Sequence, residues 1–151
     1  MSLREPASRA LVVRAHGLDI RIVGGGMGAA SALKMSYAGI TKGLTALGAA
    51  MMLGATRAGV AEALHAELAA SQPALLPWFT RQIPSMYQKA YRWVAEMDEI
   101  AEFLGDDPAA AKMFSGAARR YERLARDGSG STQETAELAR FLDRSQVRRA
   151  S

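Results

Sequence analysis

The chain has 151 residues, with 19 basic and 15 acidic side chains, a formal net charge of +4 and no cysteine. This length suits one domain with a real core, and the lack of thiols excludes a disulfide framework and a thiolate zinc site. His16 and His65 are the only histidines, so we predict no metal site. Because both signs of charge are interleaved and no basic-aromatic platform is present, we predict no nucleic-acid partner.

The N-terminus carries Arg4, Glu5 and Arg14, which interrupt any signal-peptide pattern. The longest uncharged run of the most apolar segment, Gly43–Thr56, is too short to span a bilayer. No basic amphipathic face is present for binding to a membrane surface. We therefore expect a cytoplasmic protein without a membrane partner.

Residues 1–25 resemble the end of another domain. A helix-like pattern over Ser8–His16 stops at Gly17, and Leu18–Val23 alternates as a strand does. A single strand cannot satisfy its ladder hydrogen bonds, so it either pairs between chains or belongs to a sheet that is missing. We favour the missing sheet, with the chain as a fragment or a truncated product.

The segment Gly24–Gly54 organises the rest of the chain. Its only charges are Lys34 and Lys42, and its apolar residues cover every side of a 3.6-residue helix. A helix that is apolar all round is expected to be buried. Gly39 and Gly43 lie four residues apart, so another helix can approach closely. We predict a buried central helix around which the other helices pack.

Lys34 is the notable residue of this helix, because burying an unpaired charge is unfavourable. Tyr37 and Thr41 follow it at three and seven residues and therefore share its face. Lys34 could extend to the surface from near the helix end. Alternatively, it could be a lysine in a cleft that serves as a general acid/base.

Further helices are predicted downstream from their start and stop signals. Gly54 is interpreted as the break after the central helix, Thr56 as an N-cap, Pro84 as a first helical residue, and Asp107-Pro108 as an N-cap followed by proline. The predicted segments are Arg57–Ser71, a helical turn between Pro73 and Pro77, Pro84–Leu104 and Ala109–Arg126.

Residues 128–151 are predicted to lie outside the main domain. Gly128–Thr132 has the composition of a flexible linker, and Ser131-x-x-Glu134 resembles a capping box for a last short helix. The tail from Arg144 is basic. The predicted fold class is all-α, with six or so helices, a main domain over residues 26–127, and Trp78 and Trp93 buried.

The glycine run before the central helix has more than one interpretation. Gly24-x-Gly26-x-x-Ala29 follows a strand-like segment and opens a helix, as a dinucleotide fingerprint does. That function needs a second strand and an acidic residue further on, and here another helix follows instead. One interpretation is that the glycines only turn the chain between two domains. Otherwise Gly26, Met27 and Gly28 are candidates for binding a substrate carboxylate at a helix N-terminus.

The stretch Gly26–Gly43 reads G-x-G-A-x-x-x-x-K-M-x-x-x-G-I-x-x-G. It resembles the helix that follows the cofactor domain in the β-hydroxyacid dehydrogenases, which include the 6-phosphogluconate and 3-hydroxyisobutyrate dehydrogenases. The helical C-terminal domain of phosphogluconate dehydrogenase-like oxidoreductases is the more similar branch, through ASALKMSYAGITKG and the later RWVAEMDEIAE and GAARRYERLA. The resemblance covers about Leu11–Ala125, and implies that Leu18–Val23 is the last strand of a cofactor domain.

The resemblance implies that Lys34 is the catalytic acid/base, which takes the substrate hydroxyl proton while a hydride passes to NAD or NADP. The family usually has Asn four residues later, where this chain has Ala38. The phosphogluconate enzymes have His and Glu where this chain has Tyr37 and Thr41, so 6-phosphogluconate is not the expected substrate. Tyr37 and Thr41 remain candidate substrate-binding residues, and Arg92 matches a basic residue that reaches the cofactor.

Two functions follow. The first is the substrate-binding and dimerisation domain of an NAD(P)-dependent hydroxyacid-type dehydrogenase, inactive without its cofactor domain. The second is a non-catalytic all-α oligomerisation module. Both predict a homodimer or larger assembly, because an all-round apolar helix in so short a chain leaves surface that one copy cannot cover.

Overall fold

The computed structural model describes residues 24–147, with side chains described as far as Arg144. The predicted strand Leu18–Val23 and the segment before it lie outside the described residues. The described part forms six helices and no strand, which confirms the all-α fold class. The helices are α1 (Ala29–Arg57), α2 (Ala61–Ser71), α3 (Leu75–Met86), α4 (Ala90–Phe103), α5 (Pro108–Gly128) and α6 (Gln133–Val147).

The chain divides into two units after Lys34, of which residues 24–34 and 35–147 are described. Of the first unit, the described part is the glycine turn and the first turns of α1. The second unit contains the core, to which five helices contribute fully buried side chains. These are Ala49 and Leu53 of α1, Ile83 and Met86 of α3, Met97 and Ile100 of α4, Tyr121 and Leu124 of α5, and Leu138 and Phe141 of α6.

Helix α1 is buried along one side only, so the prediction of burial all round is wrong. Its inward side is made mainly of small residues, including Gly48 and Ala49, with Leu53. A Cβ placed on Gly48 would lie 2.7 Å from Cζ and 2.9 Å from Cδ1 of Phe79. Since real Cβ atoms do not approach that closely, the ring of Phe79 packs directly on the α1 backbone.

Helix α1 ends three residues later than Gly54, which lies inside it. Thr56 is also inside, and its hydroxyl donates to the carbonyl of Met52 at 2.9 Å instead of capping the next helix. The chain turns away after the helix at Gly59, whose φ of 74° is in the left-handed region that favours glycine. The amides of Gly59 and Val60 donate to the carbonyls of Thr56 (3.1 Å) and Ala55 (2.9 Å), which is a Schellman ending.

Pro84 does not begin α4 as predicted but lies in the last turn of α3, and α4 begins at Ala90. Trp78 and Trp93, predicted to be largely buried, are partly buried and pack against the core. The Asp107-Pro108 signal is confirmed, since Oδ1 of Asp107 accepts from the amides of Ala109 and Ala110, both at 3.1 Å. Two of the orphan amides at the start of α5 are thereby satisfied.

The junction of α5 and α6 is a hydrogen-bonded turn rather than a flexible linker. Asp127, in the last turn of α5, accepts from the amides of Glu134 (3.2 Å) and Thr135 (3.0 Å) at the start of α6. Its carboxylate also accepts from the hydroxyl of Ser131 at 2.9 Å. The capping-box prediction is therefore wrong, because Asp127 supplies the cap and Ser131 supports Asp127.

Candidate functional site

The turn before α1 has the backbone that its glycines permit. Gly25 and Gly28 have φ values of 132° and 92°, where a side chain would be strained. The amide of Ala29 donates to the carbonyl of Gly26 at 3.2 Å, which closes the turn into the helix. A Cβ on Gly26 or Gly28 would meet nothing within 4 Å, and Met27 is fully exposed. The turn is thus open to a ligand from solution.

Lys34 lies in the second turn of α1, and its side chain is exposed. Among the described residues, none forms an ion pair or hydrogen bond with its ammonium group. This agrees with a lysine that reaches the surface from near a helix end. The general acid/base interpretation therefore needs a substrate or another protein surface to cover Lys34.

Tyr37 and Thr41 belong to the second unit. The side chain of Tyr37 is 69% exposed, which leaves the ring accessible. The hydroxyl of Thr41 donates to the carbonyl of Tyr37 at 3.0 Å, within its own helix. Because that bond uses the hydroxyl proton, Thr41 can offer a ligand only its lone pairs.

Arg92, the candidate cofactor contact, lies near the start of α4. Its guanidinium carbon is 5.8 Å from the ring centroid of Tyr91. Arg92 and Lys89 line an open cavity of about 440 Å³ between the end of α3 and the start of α4. Two cations beside an open cavity suit a phosphate group. The described residues do not include the strand, glycine loop and helix that together cradle a dinucleotide.

The phenol of Tyr87 lines the same cavity. Its hydroxyl donates to the carbonyl of Thr135 at 3.4 Å. Burial, reinforced by the negative charge of Asp143, raises the pKa of Tyr87 to about 12. The phenol therefore stays neutral and its proton is used in the bond to Thr135, so Lys89 and Arg92 give the cavity its charge.

A cluster around Lys42 was missed by the sequence analysis. The ammonium of Lys42 is in an ion pair with Glu96 of α4 and lies 4.9 Å from the ring centroid of Trp93. The hydroxyl of Tyr121 donates to the carbonyl of Lys42, and the Tyr121 ring contacts Trp93 edge-on, with centroids 5.3 Å apart. These four residues join α1, α4 and α5.

The cluster has the properties of a structural contact. Tyr121 is completely buried, and that burial raises the pKa of its phenol. The signal available in the sequence was the spacing of Trp93 and Glu96, which share one face of α4. Nothing in the spacing identifies Lys42 as their partner 54 residues away.

Two further classes of site are a metal centre and a membrane-spanning helix. Residues 24–147 contain no group of three or more histidine or acidic side chains that could hold a metal ion. Helix α1 is the one described helix with the length and composition to cross a bilayer, with a mean hydropathy of 1.2 over 18 residues. Because 44% of that stretch is buried in the protein, and core helices of soluble domains have the same composition, this is weak evidence for a membrane span.

Residues 55–124 match a family described as a domain of unknown function, DUF1932. This domain occurs in the C-terminal helical part of NAD(P)-binding 6-phosphogluconate dehydrogenase-like proteins. The match runs from the last turn of α1 to Leu124 of α5, and therefore includes Arg92 and Tyr121 but not Lys34 or the glycine turn. No curated protein and no solved structure matches the chain.

Proposed function

We propose that the chain is the substrate-binding and dimerisation half of an NAD(P)-dependent dehydrogenase that acts on a small hydroxyacid-type substrate. The observation that carries the proposal is the match of residues 55–124 to a domain found in the helical part of such NAD(P)-binding proteins. The proposed acid/base is Lys34. It lies before the matched region, near the start of α1 and six residues after Gly28 of the open glycine turn.

When bound, NAD or NADP supplies the acceptor for the hydride that leaves the carbinol carbon. Nζ of Lys34 takes the hydroxyl proton, so that the C–H and O–H bonds break and a C=O bond forms. The amides of Gly26, Met27 and Gly28 bind the substrate carboxylate at the start of α1.

Other contacts have subsidiary roles in this proposal. The exposed hydroxyl of Tyr37 donates to the substrate, and Thr41 accepts through its remaining lone pairs. Arg92, with Lys89 beside it, binds a phosphate of the cofactor. A lysine acts as a base near neutral pH where burial favours its neutral form. Since Lys34 is exposed, the proposed enzyme requires a cofactor-binding half and a bound substrate to cover it.

The test is the substitution of Lys34 in an enzyme that contains both this chain and a cofactor-binding half. Lys34→Ala should lower kcat by on the order of 10²–10⁴-fold, the scale for losing a general acid/base. The melting temperature should not change, because no described residue depends on Lys34. The readout is the initial rate of NAD(P)H formation.

Lys112→Ala is the matched control, since Lys112 is another exposed lysine and lies on α5. It should leave kcat unchanged. Full activity of Lys34→Ala would contradict the assignment, and so would oxidation of hydroxyacids by the present chain alone. We expect the chain alone to bind NADH weakly and to have no turnover.

A non-catalytic all-α oligomerisation module is the second candidate, and the exposure of Lys34 together with a large exposed apolar side of α1 favours it. The DNA immediately upstream of the codon for Met1 discriminates the two. A reading frame with a strand-GxGxxG-helix pattern supports the dehydrogenase, and an in-frame stop supports the module. In either case we propose a cytoplasmic location, with neither a membrane nor a nucleic acid as partner.

A further inference from the structure

The exposed side of α1 carries a regular row of large apolar side chains, which we name the outer stripe. It consists of Tyr37, Ile40, Leu44, Leu47 and Met51, spaced alternately by three and four residues. Tyr37, Ile40, Leu47 and Met51 are 69%, 70%, 59% and 58% exposed, and Leu44 is half-buried. This 3-4 spacing is that of the contact positions of a helix that packs lengthwise on another helix.

A groove runs beside the outer stripe, between α1 and α5. It has a volume of about 550 Å³, and its floor is made of Gly39, Gly43, Ala46, Gly116 and Ala117. Ile40 and Leu47 of the stripe form one wall, and Met113, 73% exposed, stands on the other. The ring of Phe114 already covers Gly39 and Gly43, since a Cβ placed on them would lie 3.3 Å from its Cζ and 3.1 Å from its Cε1, respectively. The open part of the groove, beside Ala46, Gly116 and Ala117, can receive a large side chain of an approaching helix.

Several polar groups of α1 near the outer stripe already have partners within the chain. Lys42, the only charged residue of α1 between Tyr37 and Met51, is directed to Glu96 and Trp93. The hydroxyls of Thr41 and Thr45 donate to the carbonyls of Tyr37 (3.0 Å) and Thr41 (2.8 Å). These polar groups are satisfied within the chain. The patch keeps two donors that a covering surface must pair or leave to water: the exposed hydroxyl of Tyr37, and Nε of Arg120, which has no partner among the described residues although the Arg120 guanidinium is in an ion pair with Glu134.

We propose that the outer stripe and its groove form the interface with a second copy of this chain, packed about a two-fold axis. In such an interface each copy presents the same patch, which must hold both projecting side chains and the holes that receive them. This patch has both. The one charged residue that lines the groove, Arg120, is already in an ion pair with Glu134, so the patch has no free charge with which to select a partner of complementary charge.

The size of the patch also suits a copy of the chain. A large apolar side chain contributes on the order of 100 Å². The four exposed stripe residues, Met113 and the groove floor therefore amount to several hundred Å² of apolar surface per copy. That is the apolar share of a standard interface of about 800 Å² per partner. The proposal rests on the homodimer of the proposed function and is independent of any catalytic role of Lys34.

The test is the molar mass of the full chain in solution, measured by sedimentation equilibrium at concentrations on the order of tens of micromolar. The wild-type chain should have twice the mass of one copy. Leu47→Glu places a charge in the middle of the stripe and should give a single-copy mass with an unchanged far-UV spectrum. Tyr91→Glu is the control, because Tyr91 is 67% exposed on α4 and lies outside the groove; it should remain a dimer.

If the wild-type chain is a monomer, the proposal is wrong. If Leu47→Glu is still a dimer, the chain dimerises through another surface and the assignment of the outer stripe as the interface is wrong. If Leu47→Glu does not fold, Ile40→Gln is measured instead, with the same two outcomes. Co-sedimentation with phosphatidylcholine vesicles that is lost in Leu47→Glu would also overturn the proposal, since lipid would then be the occupant. None of these measurements depends on the cofactor or on activity, so they fail or succeed separately from the dehydrogenase assignment.

Discussion

The two sides of α1 are both apolar, yet one packs on the core of the chain and the other is exposed to solvent. The inward side presents small residues, among them Gly48 and Ala49, on which Phe79 and the rest of the core pack. The outward side presents Tyr37, Ile40 and Leu47 to solvent. Over residues 39–49, residue size rather than hydrophobicity distinguishes the sides, because helices that pack closely need small side chains at the contact; further along, Met52 and Leu53 are large and buried. A hydrophobicity pattern alone therefore assigns large side chains such as Ile40 and Leu47 to the core, although they are exposed.

The largest expected effect is on the inward side. Gly48→Ala should lower the free energy of unfolding by about 1–3 kcal/mol or more, because the new Cβ overlaps the ring of Phe79. Intrinsic helix propensity acts in the opposite direction, since alanine is favoured over glycine by about 1 kcal/mol within a helix. Urea unfolding measures the net change.

Gly54→Ala is the matched control on the same helix. A Cβ at Gly54 meets nothing within 4 Å. This substitution should therefore stabilise the chain by about 0.4–1 kcal/mol. If both alanine variants were stabilised, the close packing of Phe79 on α1 would be wrong, and with it the distinction between the two sides.

The next effect concerns α6, whose Leu138 and Phe141 complete the core against which α1 packs. Asp127→Ala removes the cap of α6 and should lower the free energy of unfolding by about 0.5–2 kcal/mol. Asp106→Ala, at an exposed aspartate outside the junction, should have little effect. Dimerisation should persist in both variants, because the outer stripe is not altered.

The contribution of Asp127 to the free energy of unfolding depends on pH. Burial opposes its ionisation, but the amides of Thr135 and Glu134 and the hydroxyl of Ser131 outweigh burial and lower its pKa. A carboxyl whose pKa is lowered by folding stabilises the protein above its unfolded value of about 3.9. That stability is lost as the pH falls through the lowered value. The difference in the free energy of unfolding between wild type and Asp127→Ala should therefore become smaller in acid. A difference that does not change with pH would contradict this cap.

A smaller effect is expected at Lys42, whose partners the sequence alone did not reveal. Lys42→Met keeps an apolar chain over Trp93 but leaves Glu96 without its partner. Because both side chains are partly exposed, at 20% and 40%, we expect a loss of about 1 kcal/mol or less. A double-mutant cycle with Glu96→Gln isolates the pair, and a coupling energy of zero would show that the contact has no role.

Local signals in the sequence identified much of the fold. The all-α class, the presence of a long helix after the glycine run and the start of α5 at Asp107-Pro108 were correct because caps, prolines and helical periodicity act over a few residues. The boundary at Gly54 was wrong because a glycine within a well-packed helix has the same local signature as one that ends it. The cap of α6 was missed because Asp127 precedes the helix by six residues, beyond the reach of a capping box.

The candidate site was less accessible to sequence reasoning. The pattern around Gly26–Gly43 selected Lys34, but whether a lysine is buried depends on what covers it, and in this chain it is exposed. The ion pair of Lys42 and Glu96 joins residues 54 positions apart, which no local pattern relates. The outer stripe was hidden because α1 is apolar all round, and only the packing shows which side remains free.

The claim that α1 has one side for the chain's own core and another for a second copy is tested most directly by thermal unfolding as a function of concentration. Mass action stabilises a dimer by about 2.7 kcal/mol for each hundredfold rise in concentration. The melting temperature of the wild-type chain should therefore rise by several degrees over that range, whereas that of Leu47→Glu should stay constant. A wild-type melting temperature that does not depend on concentration would contradict the account.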